Sequence, residues 1–427
     1  MERRDFLKSS VAASAALPLL SAHSRSAKDK TLKIGLIGCG GRGKGAAFDA
    51  LRADPNTVLH AMCDVFEDRL QTAHKDLANF VNSEGADVTA ERMDVPPERM
   101  YSGFDGYKKL LDSGVDVVLL ATTPGFRPEH LAASVAAGVD IFTEKPVAID
   151  STGIRSVLES AKLAEKKGLH IAHGFCWRSH FGKQAVYGKI AEGAIGEVNL
   201  AYGTYLAGGA WYRKINDSMS QQEKEMRNWY YYTYLGGDHI VEQAVHSVDK
   251  LLWAFGDRKP DYAIALGGRQ SRTQEKFGNI YDHFSVIYEY KNGAQAHLLT
   301  RQQPGTAGEN KDRVLGTKGV AWIDGWADNF RIVGENPWKY EGPGNNMYQT
   351  EHDTFFAAIR AGKPYNQLEA AANSTLAAIM GRMATYTGQR VTWDKALNSE
   401  ENLLPETWAW GDCQPRPIPI PGKTKLI

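Results

Sequence analysis

Cysteine is scarce in this sequence. The 427 residues include four cysteines, Cys39, Cys63, Cys176 and Cys413. Their positions show neither the paired spacing of a zinc site nor the density of a disulfide scaffold. We therefore predict no metal cofactor and no disulfide-stabilised fold. Cys39 and Cys63 fall at the ends of neighbouring predicted strands, and we interpret them as small packing residues.

An excess of charge of one sign is also absent. Lysine and arginine total 50, aspartate and glutamate total 50, and the formal net charge is +0. This balance gives no electrostatic basis for binding nucleic acid or an anionic surface. Hydrophobic residues make up 43% of the chain, which is enough for packed cores, and the length indicates two domains rather than one.

Long hydrophobic runs are lacking as well. The apolar stretch from Val11 to Leu20 is too short to span a bilayer comfortably. Glu2 to Lys8, with two adjacent arginines, resembles a twin-arginine export signal, and Ala22 to Ser24 offers small residues for cleavage. We expect residues 1–28 to be this signal, in preference to an uncleaved anchor or a disordered tail. The mature protein is then expected to lack a membrane span and to be periplasmic or otherwise extracytoplasmic.

What the sequence does contain is a glycine motif between two predicted strands. The apolar run Leu32 to Ile37 leads into a G-x-G-x-x-G motif and then a helical pattern. In such a motif one glycine turns the chain, one admits a pyrophosphate to the backbone, and one packs the helix on the strand. The second strand ends at Asp64, 26 residues after the first glycine, where a carboxylate binds a ribose hydroxyl and repels a 2′-phosphate. We predict an NAD site rather than an NADP site, with contacts from Gly38, Gly40, Gly41, Arg42, Gly43 and Asp64.

Strands and helices continue to alternate through residue 150. Val115 to Leu120 and Val139 to Thr143 are predicted strands, and Pro128 to Ala137 is a helical pattern between them. Asn82 to Arg99 is polar and is predicted to be a surface loop. The alternation is typical of a parallel, doubly wound sheet, so we assign residues 29–150 to a dinucleotide-binding domain.

Three motifs, in this order, resemble the Gfo/Idh/MocA oxidoreductases: the glycine loop, a Thr-Pro dipeptide followed by a histidine, and Glu-Lys-Pro after a strand. The resemblance runs from about Lys33 to Trp393. It implies an α/β protein with an N-terminal Rossmann domain and a C-terminal α/β domain built on a large, mostly antiparallel open sheet. It also implies a homo-oligomer, a dimer or tetramer. Further cofactor contacts are implied for Thr122, Pro124, His130, Glu144 and Lys145.

The second domain is expected over residues 151–349. Alternating stretches between Asn199 and Asp324 predict its sheet, with one face available for a partner. An aromatic-rich insertion, residues 206–235, interrupts the strands. Residues 350–390 resemble the family's helices that return to the first domain, and residues 391–427 form a C-terminal arm with a proline-rich end.

Four polar residues after a glycine pair follow the spacing of one helical face: His239, Glu242, His246 and Asp249. Three interpretations compete, namely a packing or capping face, a metal site, and the catalytic pattern of the family. The resemblance favours the third, in which Lys145, His246 and Glu242 are the catalytic residues. Glu242 departs from the family's usual aspartate, and Ala244 replaces a frequent glycine.

These residue types suit hydride transfer from a carbinol carbon to NAD, because the hydride leaves only as the hydroxyl proton is removed. Imidazole titrates near neutral pH, so His246 is the expected proton acceptor. Lys145 supplies positive charge beside the developing alkoxide, and Glu242 orients or polarises the pair. The alternatives are a surface lysine and a satisfied core histidine, and the family context favours catalysis.

The insertion is dense in tyrosine and tryptophan, whose rings stack on the apolar faces of pyranoses. It is either a wall of the sugar pocket or a flap packed on its own core or on another subunit. We predict that at least one of Tyr230, Tyr232 and Tyr234 lines the cleft opposite Lys145. Arg178 and His239 are further predicted substrate contacts.

The sequence thus predicts an exported, NAD-dependent oxidoreductase acting on a secondary hydroxyl of a sugar or glycoside. Because the twin-arginine route carries folded proteins, NAD is expected to be loaded before export and held tightly. The alternative enzyme is an NAD-dependent glycoside hydrolase that works by transient C3 oxidation, elimination, hydration and re-reduction. The non-enzymatic alternative is a sugar-sensing protein with structural NAD.

Overall fold

The structure is a computed structural model that describes residues 30–83, 87–327, 329–413 and 416–427. The predicted export signal, residues 1–28, lies outside the described residues. Within the described ranges, no helix combines the length and the apolar character needed to cross a bilayer.

The first domain is built on a parallel sheet. In the part of the chain that the structure describes, it has six strands: β1 (Leu32–Ile37), β2 (Thr57–Asp64), β3 (Met100–Ser102), β4 (Val117–Leu120), β5 (Asp140–Thr143) and β6 (Ile171–His173). Their order is β3-β2-β1-β4-β5-β6. The core strands are apolar on both faces because helices cover both sides. The chain order reverses between β1 and β4, which creates the crevice in which such sheets bind ligands.

Within the described residues, five helices connect consecutive strands of this sheet: α1 (Gly41–Ala53), α2 (Glu67–Val81), α3 (Gly106–Asp112), α4 (Arg127–Ala137) and α5 (Ser151–Lys167). The residues that flank α5 explain where this helix begins and ends. The side chain of Asp150 accepts a hydrogen bond from the Gly153 amide, and Gly168 ends the helix with a φ of +66°.

Two details of this domain differ from the prediction. The expected boundary at residue 150 is wrong, because α5 leads into β6, and β6 pairs with β5. The first domain therefore extends through His173. The polar stretch Asn82 to Arg99 is not only a surface loop, since Val88 and Val95 are buried in the core. This stretch leads into the short edge strand β3, which the sequence analysis did not predict because the preceding residues are polar.

The second domain carries a nine-stranded sheet among the described residues: β7 (Val198–Ala207), β8 (Tyr262–Gly268), β9 (His283–Glu289), β10 (Gln295–Gln302), β11 (Lys311–Gly316), β12 (Gly319–Asp324), β13 (Phe330–Gly334), β14 (Trp338–Lys339) and β15 (Val391–Thr392). The order is β14-β13-β12-β11-β7-β10-β9-β8-β15. The pairs are antiparallel except β7 with β10. The predicted α/β class, with a Rossmann domain and a mostly antiparallel second sheet, is confirmed.

The remaining helices are α6 (Phe181–Ala191), α7 (Gln221–Arg227), α8 (Thr233–Gly236), α9 (His239–Glu242), α10 (Val245–Ala254), α11 (Met347–Ala361), α12 (Leu368–Thr387) and α13 (Trp393–Asn398). Helices α10 and α12 pack on one face of the nine-stranded sheet, and α11 returns to α1. The opposite face carries exposed apolar side chains, including Leu266 and Leu299, which lie in register on either side of Ser285.

The C-terminal arm lies on the first domain. The ring of Trp408 is 4.0 Å from that of Phe126, and Trp410 contacts the rings of Phe66 and Phe104 at 5.4 and 4.9 Å. Beyond these tryptophans, Tyr281 donates a hydrogen bond to the Pro419 carbonyl. The arm therefore adds aromatic side chains to the rim of the β1–β4 crevice, which its composition did not indicate.

Candidate active site

The three glycines of the motif occupy three different environments. Gly38 has a φ of +99°, and a Cβ there would lie 2.6 Å from the carbonyl carbon of Ala121. A Cβ on Gly43 would lie 1.9 Å from the carbonyl oxygen of Gly38, so α1 packs directly on the turn. A Cβ on Gly40 or Gly41 would meet no atom within 4 Å. The backbone at these two positions therefore faces open space, at the uncapped N-terminus of α1, where a pyrophosphate is stabilised.

A groove of about 330 Å³ extends from this loop along the carboxyl ends of β1, β2 and β4. Asp64 lines it, and the carboxylate accepts hydrogen bonds from the amides of Cys39 at 2.7 Å and Phe66 at 2.9 Å. Burial raises the pKa of Asp64, and these two amides oppose the rise. The carboxylate is thus fixed beside the glycine loop, in the position where a ribose hydroxyl would meet it.

Aromatic rings form the wall of this groove. His130 stacks on Phe126 with a centroid distance of 5.8 Å and lies 4.4 Å from Tyr107, and its Nδ1 is 3.3 Å from the hydroxyl of Thr122. Burial, followed by the charge of Arg127, lowers the pKa of His130 to about 3, so the ring is neutral. The predicted contact by Pro124 is wrong, because this residue is buried at the start of a 3₁₀ turn behind the groove.

Arg42 lies where the groove meets a second, larger cleft. Its Nε donates to Glu144 at 2.5 Å, and its guanidinium is 3.6 Å from Glu351 and 4.8 Å from the ring centroid of Tyr348. The side chain of Arg42 is therefore held by two carboxylates and an aromatic ring rather than by solvent alone. Burial and then the Glu144 charge raise the pKa of Glu351 well above its usual range. Glu351 follows Glu144 by 207 residues, and no local pattern connects it to the glycine loop.

The second cleft, of about 620 Å³, contains the predicted catalytic lysine. Nζ of Lys145 donates to the backbone carbonyl of Glu242 at 2.7 Å and lies 3.3 Å from its carboxylate. The two side chains are 14% and 15% exposed, so the ion pair is only partly screened by solvent. This contact joins the end of β5 to the end of α9 and brings together two residues that are 97 positions apart.

His246 lies in the same cleft. Its ring stacks on Trp177 with a centroid distance of 5.5 Å and meets the edge of Phe175 at 5.9 Å. Burial, reinforced by the charges of Lys145 and Lys250, holds the pKa of His246 well below its usual range. The imidazole is therefore neutral at physiological pH and able to accept a proton. Its Nδ1 has no hydrogen-bond partner among the described residues.

Tyr230 lines the cleft together with Lys145, within a network of amide side chains. Its hydroxyl donates to Gln243 at 2.9 Å and accepts from Gln302 at 2.6 Å, and Gln243 in turn donates to the hydroxyl of Tyr205 at 2.9 Å. The four side chains come from separate elements: Tyr230 from the insertion, Gln243 from the link between α9 and α10, Gln302 from β10 and Tyr205 from β7. The sequence did not point to either glutamine, because each is an ordinary polar residue in its own segment.

The other two tyrosines of the insertion lie elsewhere. Tyr234 is buried, donates to Glu225 at 2.8 Å, and stacks on Trp408. Tyr232 packs in the same cluster, beside the groove rim. Neither lines the cleft that holds Lys145, so their assignment as substrate contacts is wrong. The insertion is both a packed flap and, through Tyr230, a wall of the cleft.

The segment predicted as one helical face is two helices, because α9 ends at Glu242 and α10 begins at Val245. His239 is fully buried, with Nδ1 3.2 Å from both Asp238 and the Tyr281 carbonyl. Asp249 forms a bidentate ion pair with Arg178, with both distances 2.9 Å. His239 and Arg178 therefore do not contact substrate, and those assignments are wrong. Among the described residues, these four side chains also do not come together in a group that could hold a metal ion.

Arg127 is a buried cleft residue that the sequence did not indicate. Its guanidinium donates to the carbonyls of Thr122, after β4, and Pro146, after β5. Burial lowers the pKa of Arg127 to about 10, and the charges of Glu144 and Glu242 oppose the fall. The arginine ties together the two strand ends that separate the groove from the cleft.

The groove and the cleft share Arg42, Thr122 and Trp229, so they form one continuous site. One part offers an uncapped helix N-terminus and a carboxylate, which fit a dinucleotide. The other offers an ammonium group, a carboxylate and a neutral imidazole beside hydrogen-bonding side chains. This arrangement suits removal of a proton from a hydroxyl group next to a bound nicotinamide ring.

Comparisons with known proteins agree with this description. A family model described as an oxidoreductase family with an NAD-binding Rossmann fold matches residues 32–174, and the GFO/IDH/MocA C-terminal domain matches residues 184–322. The match to an NAD-binding domain confirms the predicted cofactor class, NAD. The first of these matches covers all three motifs that gave the resemblance in the sequence.

Individual relatives are distant. The chain is 24% identical to inositol 2-dehydrogenase of Acidiphilium cryptum over 62% of this chain, and the match spans 65% of that protein's length. It is 22% identical to inositol 2-dehydrogenase of Paracoccus denitrificans over 83% of this chain and 99% of the relative. The fold is similar to that of aldose-aldose oxidoreductase from Caulobacter crescentus complexed with glycerol, with a TM-score of 0.67 and 17% identity over 85% of this chain and 100% of the other. The chain belongs to the Gfo/Idh/MocA oxidoreductase family, and its first domain is that family's NAD-binding Rossmann domain.

Proposed function

We propose that this chain is an NAD-dependent oxidoreductase that interconverts a secondary hydroxyl and a ketone on a sugar or glycoside. The observation that supports this most is the Lys145–Glu242 ion pair in one cleft with a neutral His246, in direct continuity with the dinucleotide groove. The names of the inositol dehydrogenase and aldose oxidoreductase relatives point to substrates of the same hydroxyl-rich class.

The residues divide the reaction between them. The glycine loop and Asp64 would hold NAD, which would supply the hydride acceptor for the carbinol carbon. His246 takes the hydroxyl proton as the carbonyl bond forms, and in the reverse direction it returns that proton. The Lys145 ammonium stabilises the negative charge that develops on the oxygen, while Glu242 fixes the position of the ammonium. Trp177 stacks on the imidazole, and Lys250, 3.9 Å from the Trp177 ring centroid, pairs with Asp312 at 2.6 Å, so buried groups pack around the base.

The test is a screen of sugars, cyclitols and aryl glycosides with the NAD-loaded protein. Absorbance of bound NADH at 340 nm and release of the aryl group are followed in the same sample. NADH formation with at least one sugar, lost in Lys145→Ala, supports the proposal. Aglycone release without accumulation of NADH would indicate the hydrolytic cycle instead, and a complete lack of spectral change across the panel would favour a sugar-sensing role.

We also propose that the protein is exported with its cofactor in place. The support is the sequence alone, namely the paired arginines at Arg3 and Arg4 before the apolar run. Cell fractionation of the full chain and of an Arg3→Lys/Arg4→Lys variant tests the route. Periplasmic protein that carries NAD, with the variant retained in the cytoplasm, is the expected result, and equal export of the variant would contradict the proposal.

A further inference from the structure

The catalytic cleft opens into a further cavity on the side away from the glycine loop. This cavity of about 430 Å³ shares Tyr205, Ala207, Gln243 and Trp326 with the cleft. Its other walls come from the segment after β10 and from the end of β12. A ligand whose reacting group lies beside Lys145 therefore has a direct path into a second space. Nothing in the proposed hydride transfer at a single sugar ring uses that space.

A tryptophan stands at the junction of the two spaces. Trp326 is 67% exposed, and its ring is nearly perpendicular to that of Trp177, at a centroid distance of 5.3 Å and an interplanar angle of 81°. Trp177 is the ring on which His246 stacks. This perpendicular contact holds the indole while most of its surface stays exposed, which leaves room for a sugar ring to stack on it.

The opposite rim of the cleft carries a second open indole. Trp211 is 40% exposed and is supported by Trp229 at 5.8 Å and Tyr230 at 6.0 Å. Both rims of the cleft thus present an aromatic surface. Single exposed aromatic residues are common on proteins, but here two of them border one cleft and are each held by further aromatic rings.

The floor of the second cavity is polar and carries both positively and negatively charged side chains. Glu309 and Lys311 form an ion pair at 3.3 Å, and Asp324 accepts a hydrogen bond from Asn329 at 3.0 Å. Asn310 accepts from Lys250 at 3.4 Å, whereas its buried Nδ2 has no partner among the described residues. Hydroxyl groups both donate and accept, so they match this mixture. Two carboxylates against one lysine disfavour a phosphate group, which argues against a sugar nucleotide.

We propose that this second cavity binds an uncharged saccharide unit attached to the ring that reacts, so that the natural substrate is a glycoside or oligosaccharide rather than a free monosaccharide. Trp326 stacks on the second unit, and Gln243 and Tyr205 lie at the linkage between the two units. This inference rests on the proposed function, because the reacting ring is placed beside Lys145 by that proposal.

The experiment compares matched ligands on NAD-loaded protein: free hexoses, inositol, and disaccharides of the same hexoses with several linkages. Binding is measured by isothermal titration calorimetry, and turnover by absorbance at 340 nm. The variants are Trp326→Ala, Trp326→Phe, which keeps an aromatic face, and Leu163→Ala, which truncates an exposed apolar side chain on α5.

We expect the wild type to bind one disaccharide at least tenfold more tightly than its component hexoses. Trp326→Ala should remove that difference and leave hexose binding within twofold. Trp326→Phe should retain most of the difference, and Leu163→Ala all of it. Equal affinity of the wild type for hexoses and disaccharides, or an unchanged preference in Trp326→Ala, overturns the second site. A Trp326-dependent preference without any NADH formation supports the second site while contradicting the proposed oxidation. If no ligand binds or reacts, both proposals are wrong.

Discussion

Removal of the Lys145 ammonium tests the catalytic centre most directly. At 3.3 Å and an effective dielectric constant of about 20, the attraction between Lys145 and the Glu242 carboxylate is about 5 kcal/mol before desolvation is counted. The same charge is placed to stabilise an alkoxide, and loss of one such group typically lowers kcat by about 10²–10³-fold. We expect Lys145→Ala to lose at least that factor while retaining NAD, because Lys145 is not among the residues that line the glycine-loop groove.

A second readout of the same variant needs no substrate. The positive charge of Lys145 helps to hold the pKa of His246 low, so its removal makes protonation of the imidazole easier. The pKa of His246 should therefore rise in Lys145→Ala, and the acid limb of any residual kcat/KM profile should move to higher pH. NMR titration of the histidine ring signals, assigned with a His246→Asn variant, measures the shift.

The matched control is Lys189→Ala, which removes an ammonium from the exposed ion pair with Glu192 at 2.7 Å on α6. Exposed pairs contribute little, so turnover, cofactor content and the His246 titration should all stay at wild-type values. A kcat of Lys145→Ala within tenfold of the wild type, or a pKa of His246 that fell or did not move, would contradict this role of Lys145.

Four further outcomes are expected. His246→Asn should lower kcat by about 10²–10⁴-fold with NAD retained, as measured by single-turnover absorbance and cofactor extraction. Chromatography of the cofactor released from purified protein should give NAD rather than NADP, because Asp64 is fixed at the ribose position, and recovery of mostly NADP would contradict that role. Gly43→Ala should abolish NAD binding in calorimetry because its Cβ would overlap a backbone carbonyl oxygen, whereas Gly188→Ala, with open space around it in α6, should bind normally and be about 0.5–1 kcal/mol more stable. We also expect a homo-oligomer that associates through the open sheet face, so Leu266→Lys there should lower the mass measured by light scattering, and an unchanged mass would contradict association through this face.

The sequence alone was sufficient for the parts of the protein that depend on local patterns. The glycine motif, the buried strands around it and the terminal Asp64 are close in the chain, and each imposes a backbone geometry or a periodicity that few other folds share. For that reason the α/β class, the Rossmann domain, the cofactor class and the family were all predicted. The mostly antiparallel second sheet also followed from alternating strands.

Tertiary structure decided which side chains meet. Lys145 contacts Glu242 across 97 residues, and Tyr230 shares hydrogen bonds with Gln243 and Gln302, which come from separate elements. Arg178 was misassigned because a charged residue after a strand does not reveal that Asp249 will pair with it. Helical spacing could not show that the helix is interrupted between Glu242 and Val245. Four residues that were predicted to share one helical face therefore lie in different surroundings. Such pairings depend on how distant elements pack, and local periodicity carries no information about that packing.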